Sequence, residues 1–356
     1  MSSNTIAVIG GGPGGLRAAQ GIADVGRKVV LVERLSHLGG SPITQKYCGL
    51  TPHGDPAQPQ IQRLIDAVTA NPLTKVRLGT ELASVAGEPG AFALTLRDAQ
   101  TGADDTVECG AIIIATGFSH FDPGRSTQMY GYFEFPDVIT QPDLETMLSE
   151  HRVLRPSNGQ PPERICFIQC VGSRDRQIGN EYCSKVCCGV ASKEAIEIRQ
   201  LLPDSKVLIF YIDMRMYGYW ENEIYWPAQE QHHVQYVKGL ITEVLPKGDR
   251  LLVRGEDTTM GRPMEVLLDL VVLSVGMEPS PGTRELAGLL GVRQNKYGFI
   301  EAVGAPLDPV STDREGIFAC GAALGPADLE DTVSSAAGAA MKAVGFLRSL
   351  AVATAN

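Results

Sequence analysis

Four cysteines stand close together in this 356-residue chain: Cys170, Cys183, Cys187 and Cys188, spaced C-x12-C-x3-C-C. Thiolates are soft donors that select iron–sulfur clusters or zinc. Four of them within nineteen residues suit a metal centre. Two plainer chemistries use the same residues. Cys187 and Cys188 form a vicinal pair that could cycle between dithiol and disulfide, and a zinc or purely structural site is the other alternative. On a helix, Cys187 would follow Cys183 by one turn and share its face. Cys166 lies four residues before Cys170 on one strand, roughly 13 Å back at ~3.3 Å per residue, too far for the same centre. Cys109 and Cys320 read as packing residues. Cys48 carries two readings, a packing residue or a redox thiol.

A second constellation opens the chain. Gly10-x-Gly12-x-x-Gly15, with Pro13 and Gly14 inside it, joins a short apolar strand to a helix. In a nucleotide-binding turn the first glycine permits the tight bend and the second admits the pyrophosphate to the backbone. The third lets helix pack on strand. The helix amino terminus offers N–H donors and the positive end of its dipole. Glu33 follows Gly15 by eighteen residues, where a ribose-binding carboxylate belongs. The alternative is an ordinary glycine-rich turn with an exposed Glu33.

These residues need a scaffold, and the apolar pattern supplies one. Thr5–Gly10, a helix over Leu16–Val25 and Lys28–Val32 make a βαβ unit. Lys75–Val85 and Phe92–Arg97 read as a meander and Glu108–Ala115 as one buried strand. A helix over Gln141–Glu150 comes next, before the turn-rich connector 155–162. A second βαβ unit follows: strand Arg164–Val171, a helix near Ser184–Leu202 and strand Lys206–Ile212. Further strands fall at Val234–Lys238, Arg250–Arg254 and Leu267–Ser274, with a last one at Gly316–Ala319. An Ala-rich helix over Asp331–Leu350 closes the chain. The fold class is α/β. A first dinucleotide-binding domain spans 1–120 and 275–356, with a second Rossmann-like domain, 121–274, nested inside it.

Composition narrows the function. The chain is 44% hydrophobic and 20% charged, the profile of a globular core. A net charge of −10 disfavours nucleic acid and anionic membranes as partners. No membrane span is expected, and no basic segment precedes the first apolar stretch as in a signal peptide. Eight cysteines without an export signal read as reduced cytoplasmic thiols. His232 and His233 diverge as neighbours and read as surface residues. Trp220, Tyr225 and Trp226 read as residues that pack an interface or the core.

Several segments resemble known families. Glu33-Arg34 leading to Gly39-Gly40-Ser41, and Ala115-Thr116-Gly117, resemble motifs of two-dinucleotide-fold flavoproteins, as does Thr312–Gly321. The resemblance implies FAD rather than NAD. Most such proteins carry Gly-Asp at the end of the last motif, and here Ala322 follows Gly321. That departure, the following Gly321–Asp328 and Asp331-Thr332-Val333, the four-cysteine motif, and Asp213-Met214-Arg215 with Tyr217-Gly218 all resemble the A subunits of heterodisulfide reductases. The resemblance implies a thioredoxin-reductase-like core with FAD near Gly321, Ala322, Thr332 and Val333. It implies a 4Fe–4S cluster on Cys170, Cys183, Cys187 and Cys188. No C-x2-C-x2-C-x3-C-P ferredoxin run occurs. The chain therefore resembles the short form found in heterodisulfide reductase-like complexes of sulfur oxidisers.

That form implies a cytoplasmic electron-transfer subunit with B and C partner subunits, self-associating as a homodimer. It would pass electrons between a two-electron couple and iron–sulfur carriers. Two other functions compete, a flavin-bearing assembly scaffold and a free-standing NAD(P)H-dependent disulfide reductase. The latter needs a C-x2-C dithiol, which the chain lacks. NAD(H) stays a candidate ligand, but Gln169-Cys170-Val171-Gly172-Ser173 keeps one glycine where a second dinucleotide turn would need several.

Overall fold

A computed structural model of the chain describes residues 4–125 and 130–355, with side chains through 353. The leader-free amino terminus expected at Met1–Ser3 lies outside the described residues. The chain divides into two compact units, one of Met1–Thr44, Pro59–Ser119 and Glu278–Asn356, the other of Gln45–Gln58 and His120–Met277. Gln45–Gln58, which sequence alone leaves in the first domain, groups with the second unit.

The first unit is built on a five-stranded parallel sheet, in the order Ile317–Ala319, Ala111–Ile114, Thr5–Ile9, Lys28–Val32, Thr74–Arg77. Its strands are apolar on both faces, as parallel strands must be when both faces are covered. Ile6 and Val8 pack on one side against the helices Pro13–Asp24 and Leu329–Ala355. Ala7 and Ile9 pack on the other, against an antiparallel meander and the helix Pro281–Leu290. The meander runs Thr80–Glu88, Ala91–Asp98, Asp104–Cys109. Sequence alone gives Thr74–Arg77 to the meander and runs Glu108–Ala115 as one strand. Instead the chain breaks at Gly110, whose N–H bonds to Thr5 and whose carbonyl takes the N–H of Gly90. The helices Ala57–Thr69 and Pro281–Leu290 are additions to the sequence reading.

One helix, Leu329–Ala353, has the length and mean hydropathy, 1.3, of a membrane span, against expectation. Its Ala336, Ala339, Ala340, Ala343, Val344 and Leu347 lie in the core beneath the first sheet. Small residues at helical spacing let it pack there closely.

The second unit holds a seven-stranded sheet. Val138–Thr140, Leu270–Val275, Arg164–Val171, Lys206–Tyr211 and Gln235–Lys247 are parallel, and Arg250–Asp257 and Arg262–Leu268 extend it antiparallel. The expected strand Leu267–Ser274 is two strands, split at Asp269. That buried carboxylate accepts the backbone N–H groups of Glu163 and Arg164 at 2.9 and 2.8 Å. Beside the cysteines the sheet is irregular. Ile168 pairs with Leu273, yet Val171 pairs with Val275, so the strand Arg164–Val171 carries one extra residue. Such a bulge bends the strand and re-aims a side chain. Cys170 stands in it at φ 63°, a left-handed conformation uncommon for a residue with a Cβ.

Candidate functional site

In the first unit the functional groups are backbone. Gly10 turns at φ 116°, and a Cβ there would collide with the Ala115 carbonyl; one at Gly15 would collide with the carbonyl of Gly10. The helix Pro13–Asp24 starts behind an extended Gly12 that no side chain caps. Its first N–H groups therefore have an anion as their natural partner. Gly40, at φ 60°, lies so close that an added Cβ would sit 2.9 Å from the Gly12 Cα, and Ser41 opens the short helix Ser41–Thr44. Glu33 is buried. Its Oε2 accepts from Gly11 N at 2.6 Å and its Oε1 from Leu35 N at 2.8 Å. These bonds fix the carboxylate beside the turn and leave lone pairs for ribose hydroxyls.

The later motifs close on the same turn. Thr116 Oγ1 and Thr283 Oγ1 are 2.6 Å apart, and Ser280 Oγ donates to the Thr116 carbonyl at 3.2 Å. These bonds hold the Ala115–Gly117 segment. Gly321, at φ 61°, donates its N–H to Ser335 Oγ at 3.0 Å, beside Thr332. A Cβ on Gly14 would sit 3.2 Å from the Thr332 methyl and 3.6 Å from Cys320 Sγ. Ala322 is buried, Val333 is half-buried and Arg34 is exposed. A cradle of glycines at a helix amino terminus with an anchored carboxylate fits FAD. Cys320 only packs against it, its thiol pushed up to about 12 by burial.

In the second unit the functional groups are side chains. Strand Arg164–Val171 runs into a loop that folds back on itself: Arg174 N donates to Tyr182 O at 2.8 Å, and Asp175 N to Asn180 O at 2.9 Å. Tyr182 Oη donates to the Met277 carbonyl at 2.8 Å, and Met277 N to Ser184 Oγ at 2.8 Å. This return brings Cys183 to the strand end. The helix Cys187–Leu201 begins only there, so Cys183 lies in the loop and not on a shared helical face. All four cysteines are free thiols. Burial raises Cys187 well above the ordinary thiol range, and Cys170, Cys188 and Cys183 each add to the shift. Burial pushes Cys188 up to about 11, the N–H of Arg215 pulling back, with Cys170 and Cys183 raising it again. Each therefore lies in the electrostatic neighbourhood of the others.

N–H donors of other residues reach Cys183, Cys188 and Cys170. Lys185 N lies 3.3 Å from Cys183 Sγ, Arg215 N 3.5 Å from Cys188 Sγ, and Arg174 Nη1 3.9 Å from Cys170 Sγ. Among the described residues, no three His, Cys, Asp or Glu side chains converge tightly enough to hold one metal ion. Four thiols are nonetheless a soft donor set, the chemistry that an iron–sulfur cluster takes. Cys166, 0% exposed, faces the core, and its thiol is raised by burial alone.

A further cluster in this unit escaped the sequence reading. Lys193, 4% exposed, donates to Glu145 Oε1 at 2.6 Å and to the Gly49 carbonyl at 3.1 Å, and pairs with Glu197 at 3.3 Å. Glu145 Oε2 accepts from Cys48 N at 2.8 Å. Glu194, 0% exposed, takes a bond from Gln141 Nε2 at 3.0 Å. Burial, reinforced by Glu145, drives its carboxyl well above the usual range. Cys48 belongs here: burial and then Glu197 push its thiol up to about 11, the wrong direction for a reactive thiolate. Half-buried His120 bonds Gln45 at 2.9 Å, and desolvation lowers it to about 4. The only sequence signal was Lys193-Glu194 and Glu197 on a helix that otherwise faces the core. Trp220 packs over Gly189 as expected, whereas Trp226 is 48% exposed.

Two parallel-sheet units, the first with an FAD-type glycine cradle, define a thioredoxin-reductase-like flavin-dependent oxidoreductase. The fold matches T. acidophilum thioredoxin reductase with a TM-score of 0.65 at 18% identity, covering 98% of this chain and 100% of that one. It matches Lactococcus lactis thioredoxin reductase at 0.64 and 16%, with the same coverage. Residues 4–149 match the pyridine nucleotide-disulphide oxidoreductase family model. The chain belongs to the family of heterodisulfide reductase A subunits. It is 40% identical to the A subunit of the H(2):CoB-CoM heterodisulfide,ferredoxin reductase of Methanothermobacter thermautotrophicus, across 67% of this chain and 37% of that protein. To the iron-sulfur A subunit of the CoB–CoM heterodisulfide reductase of Methanocaldococcus jannaschii it is 41% identical, across 66% and 36%. To the A subunit of the ferredoxin:CoB-CoM heterodisulfide reductase of Methanosarcina acetivorans it is 31% identical, across 96% and 56%. It thus spans between about a third and just over half of these relatives.

Proposed function

We propose that this chain is the FAD- and iron–sulfur-bearing electron-transfer subunit of a cytoplasmic heterodisulfide reductase-like complex that serves dissimilatory sulfur oxidation. FAD lies on Gly10, Gly12, Gly14, Gly15, Glu33 and the Ala115–Gly117 and Gly321–Ala322 segments, which belong to domain parts 1–120 and 275–356. Cys170, Cys183, Cys187 and Cys188, in 121–274, ligate one 4Fe–4S cluster. When bound, FAD supplies exchange between two-electron and one-electron chemistry. The two-electron couple is a thiol, disulfide, sulfane sulfur or NAD(H), and the one-electron carriers sit on partner B and C subunits. The chain self-associates as a homodimer.

One observation carries this reading: four free thiols gather at the end of strand Arg164–Val171, three with N–H donors of other residues on sulfur, where a dinucleotide turn would otherwise lie. The same replacement removes the backbone donors that a nicotinamide dinucleotide needs for its pyrophosphate, which disfavours a free-standing NAD(P)H-dependent reductase. Anaerobic purification, a UV–visible spectrum and iron and sulfide assays test the proposal. FAD with about four irons per chain is expected, and the isolated protein should be reduced by NADH slowly or not at all. A yellow protein without iron after reconstitution would overturn the cluster. Millisecond, saturable reduction by NADH would restore the free-standing reductase.

A further inference from the structure

We propose that Arg174, braced by Asp213, is a positioning residue that grips Cys170 and raises the reduction potential of the cluster. The inference rests on the cluster reading above and concerns only this chain's own groups around it.

The guanidinium spans two partners. Its Nη1 reaches Cys170 Sγ at 3.9 Å, and its Nη2 donates to Asp213 Oδ2 at 2.6 Å. Its backbone is left-handed, at φ 57°, and tied by Arg174 N to Tyr182 O at 2.8 Å. A non-glycine residue holds that conformation only where its surroundings over-determine it. The bracing segment also touches a second thiol. Cys188 Sγ lies 3.9 Å from the Asp213 carbonyl, and Arg215 N lies 3.5 Å from the same sulfur. The segment Asp213–Arg215 follows strand Lys206–Tyr211, so one strand end serves two thiols, Cys170 in the bulge of strand Arg164–Val171 and Cys188 on the helix Cys187–Leu201. This gives the Asp213-Met214-Arg215 motif a physical role.

An exposed ion pair alone would be worth little. Here the Arg174 side chain is 18% exposed and the Asp213 side chain 49%, so the cation lies inward, against sulfur. A planar fork serves two partners at once, which a lysine ammonium on a flexible stem does not. Positive charge and N–H donors at the sulfurs favour the more negative, reduced cluster, and so raise its potential.

Three variants test this by EPR-monitored redox titration with iron assay. Arg174→Met should keep iron and FAD and move the cluster midpoint negative by at least tenfold in the reduction equilibrium, about 59 mV for one electron. Arg174→Lys keeps the charge but loses the bridge, and should fall between. Asp213→Asn separates bracing from bare charge. Loss of an anion by itself would move the midpoint positive, whereas loss of the brace moves it negative, by less than Arg174→Met. If Arg174→Met sheds its iron while retaining FAD, the grip on Cys170 is supported and the other two variants carry the potential. Unchanged midpoints in all three, or a positive shift in Asp213→Asn, overturn the clamp. Iron absent from the wild type overturns the cluster reading itself, and the clamp with it.

Discussion

Both units end a central parallel strand in a turn that leads into a helix, and the two turns do opposite things. After Thr5–Ile9 only Gly10 to Gly12 intervene before the helix Pro13–Asp24. Every group offered there is backbone, and at Gly10 glycine is required because a Cβ has no room. After Arg164–Val171 the chain needs Gly172 to Val186 before the helix Cys187–Leu201. What it offers there is sulfur, held by a bulge, a returning loop and left-handed residues at Cys170, Arg174 and Lys185. One topology thus offers N–H groups in one unit and thiols in the other. The difference predicts where each unit breaks.

The largest effect is expected at the first turn. Gly15→Ala places a methyl against the Gly10 carbonyl oxygen. Overpacking of this kind costs about 1–3 kcal/mol or more, at the position where the helix must pack on the strand that carries the turn. The variant should purify colourless, and absorbance at the flavin band measures this directly. Retention of stoichiometric FAD would mean that the cradle tolerates a side chain, and the contrast with the second turn would weaken.

At the second turn, loss should be of iron alone. Cys187→Ser removes one of the two buried thiols among the four, and iron should fall to background while FAD stays bound. Next to it, Lys193→Met should leave the cluster's ligands in place but strand Glu145 and Glu197 without their shared cation. Breaking a buried pair costs about 3–5 kcal/mol. Chemical denaturation should show the midpoint fall, and a loss below about 1 kcal/mol would mean that water reaches these groups.

The two turns were also unequally legible from sequence. A glycine cradle is written in residue type, because only glycine tolerates the contacts at Gly10 and Gly15. The cysteine spacing was equally readable, but its geometry was not. A helical face shared by Cys183 and Cys187 follows from an i, i+4 count, and the return through Tyr182 and Ser184 to Met277 leaves no local trace. Gly110 and Asp269 split apparently continuous strands because each bonds to backbone far along the chain. The Ser280-Pro281 start of a helix was readable and passed over. The pairing of Lys193 with Glu145, 48 residues apart, had no signal beyond charged residues on an inward helix.

The smallest effect, and the most specific to the second unit, concerns Glu194. This carboxyl is fully enclosed, bonded by Gln141 and raised first by burial and then by Glu145. A group whose folded pKa lies above its unfolded one adds stability that is complete below the unfolded value and lost as pH rises through the folded value. Below about pH 4.5, the ordinary glutamate value, both states hold the proton and this contribution is complete. Above it the unfolded chain releases the proton while the folded chain keeps it, and unfolding gains. Glu194→Gln removes this titration and preserves the acceptor for Gln141. The variant should match wild type near pH 4.5 and become the more stable of the two as pH rises toward neutrality. The gain should read as about 2–4 °C in Tm for each kcal/mol. A Tm difference that is flat across this range would show that Glu194 ionises in place, and that the buried cluster holds its charge differently from the way its geometry implies.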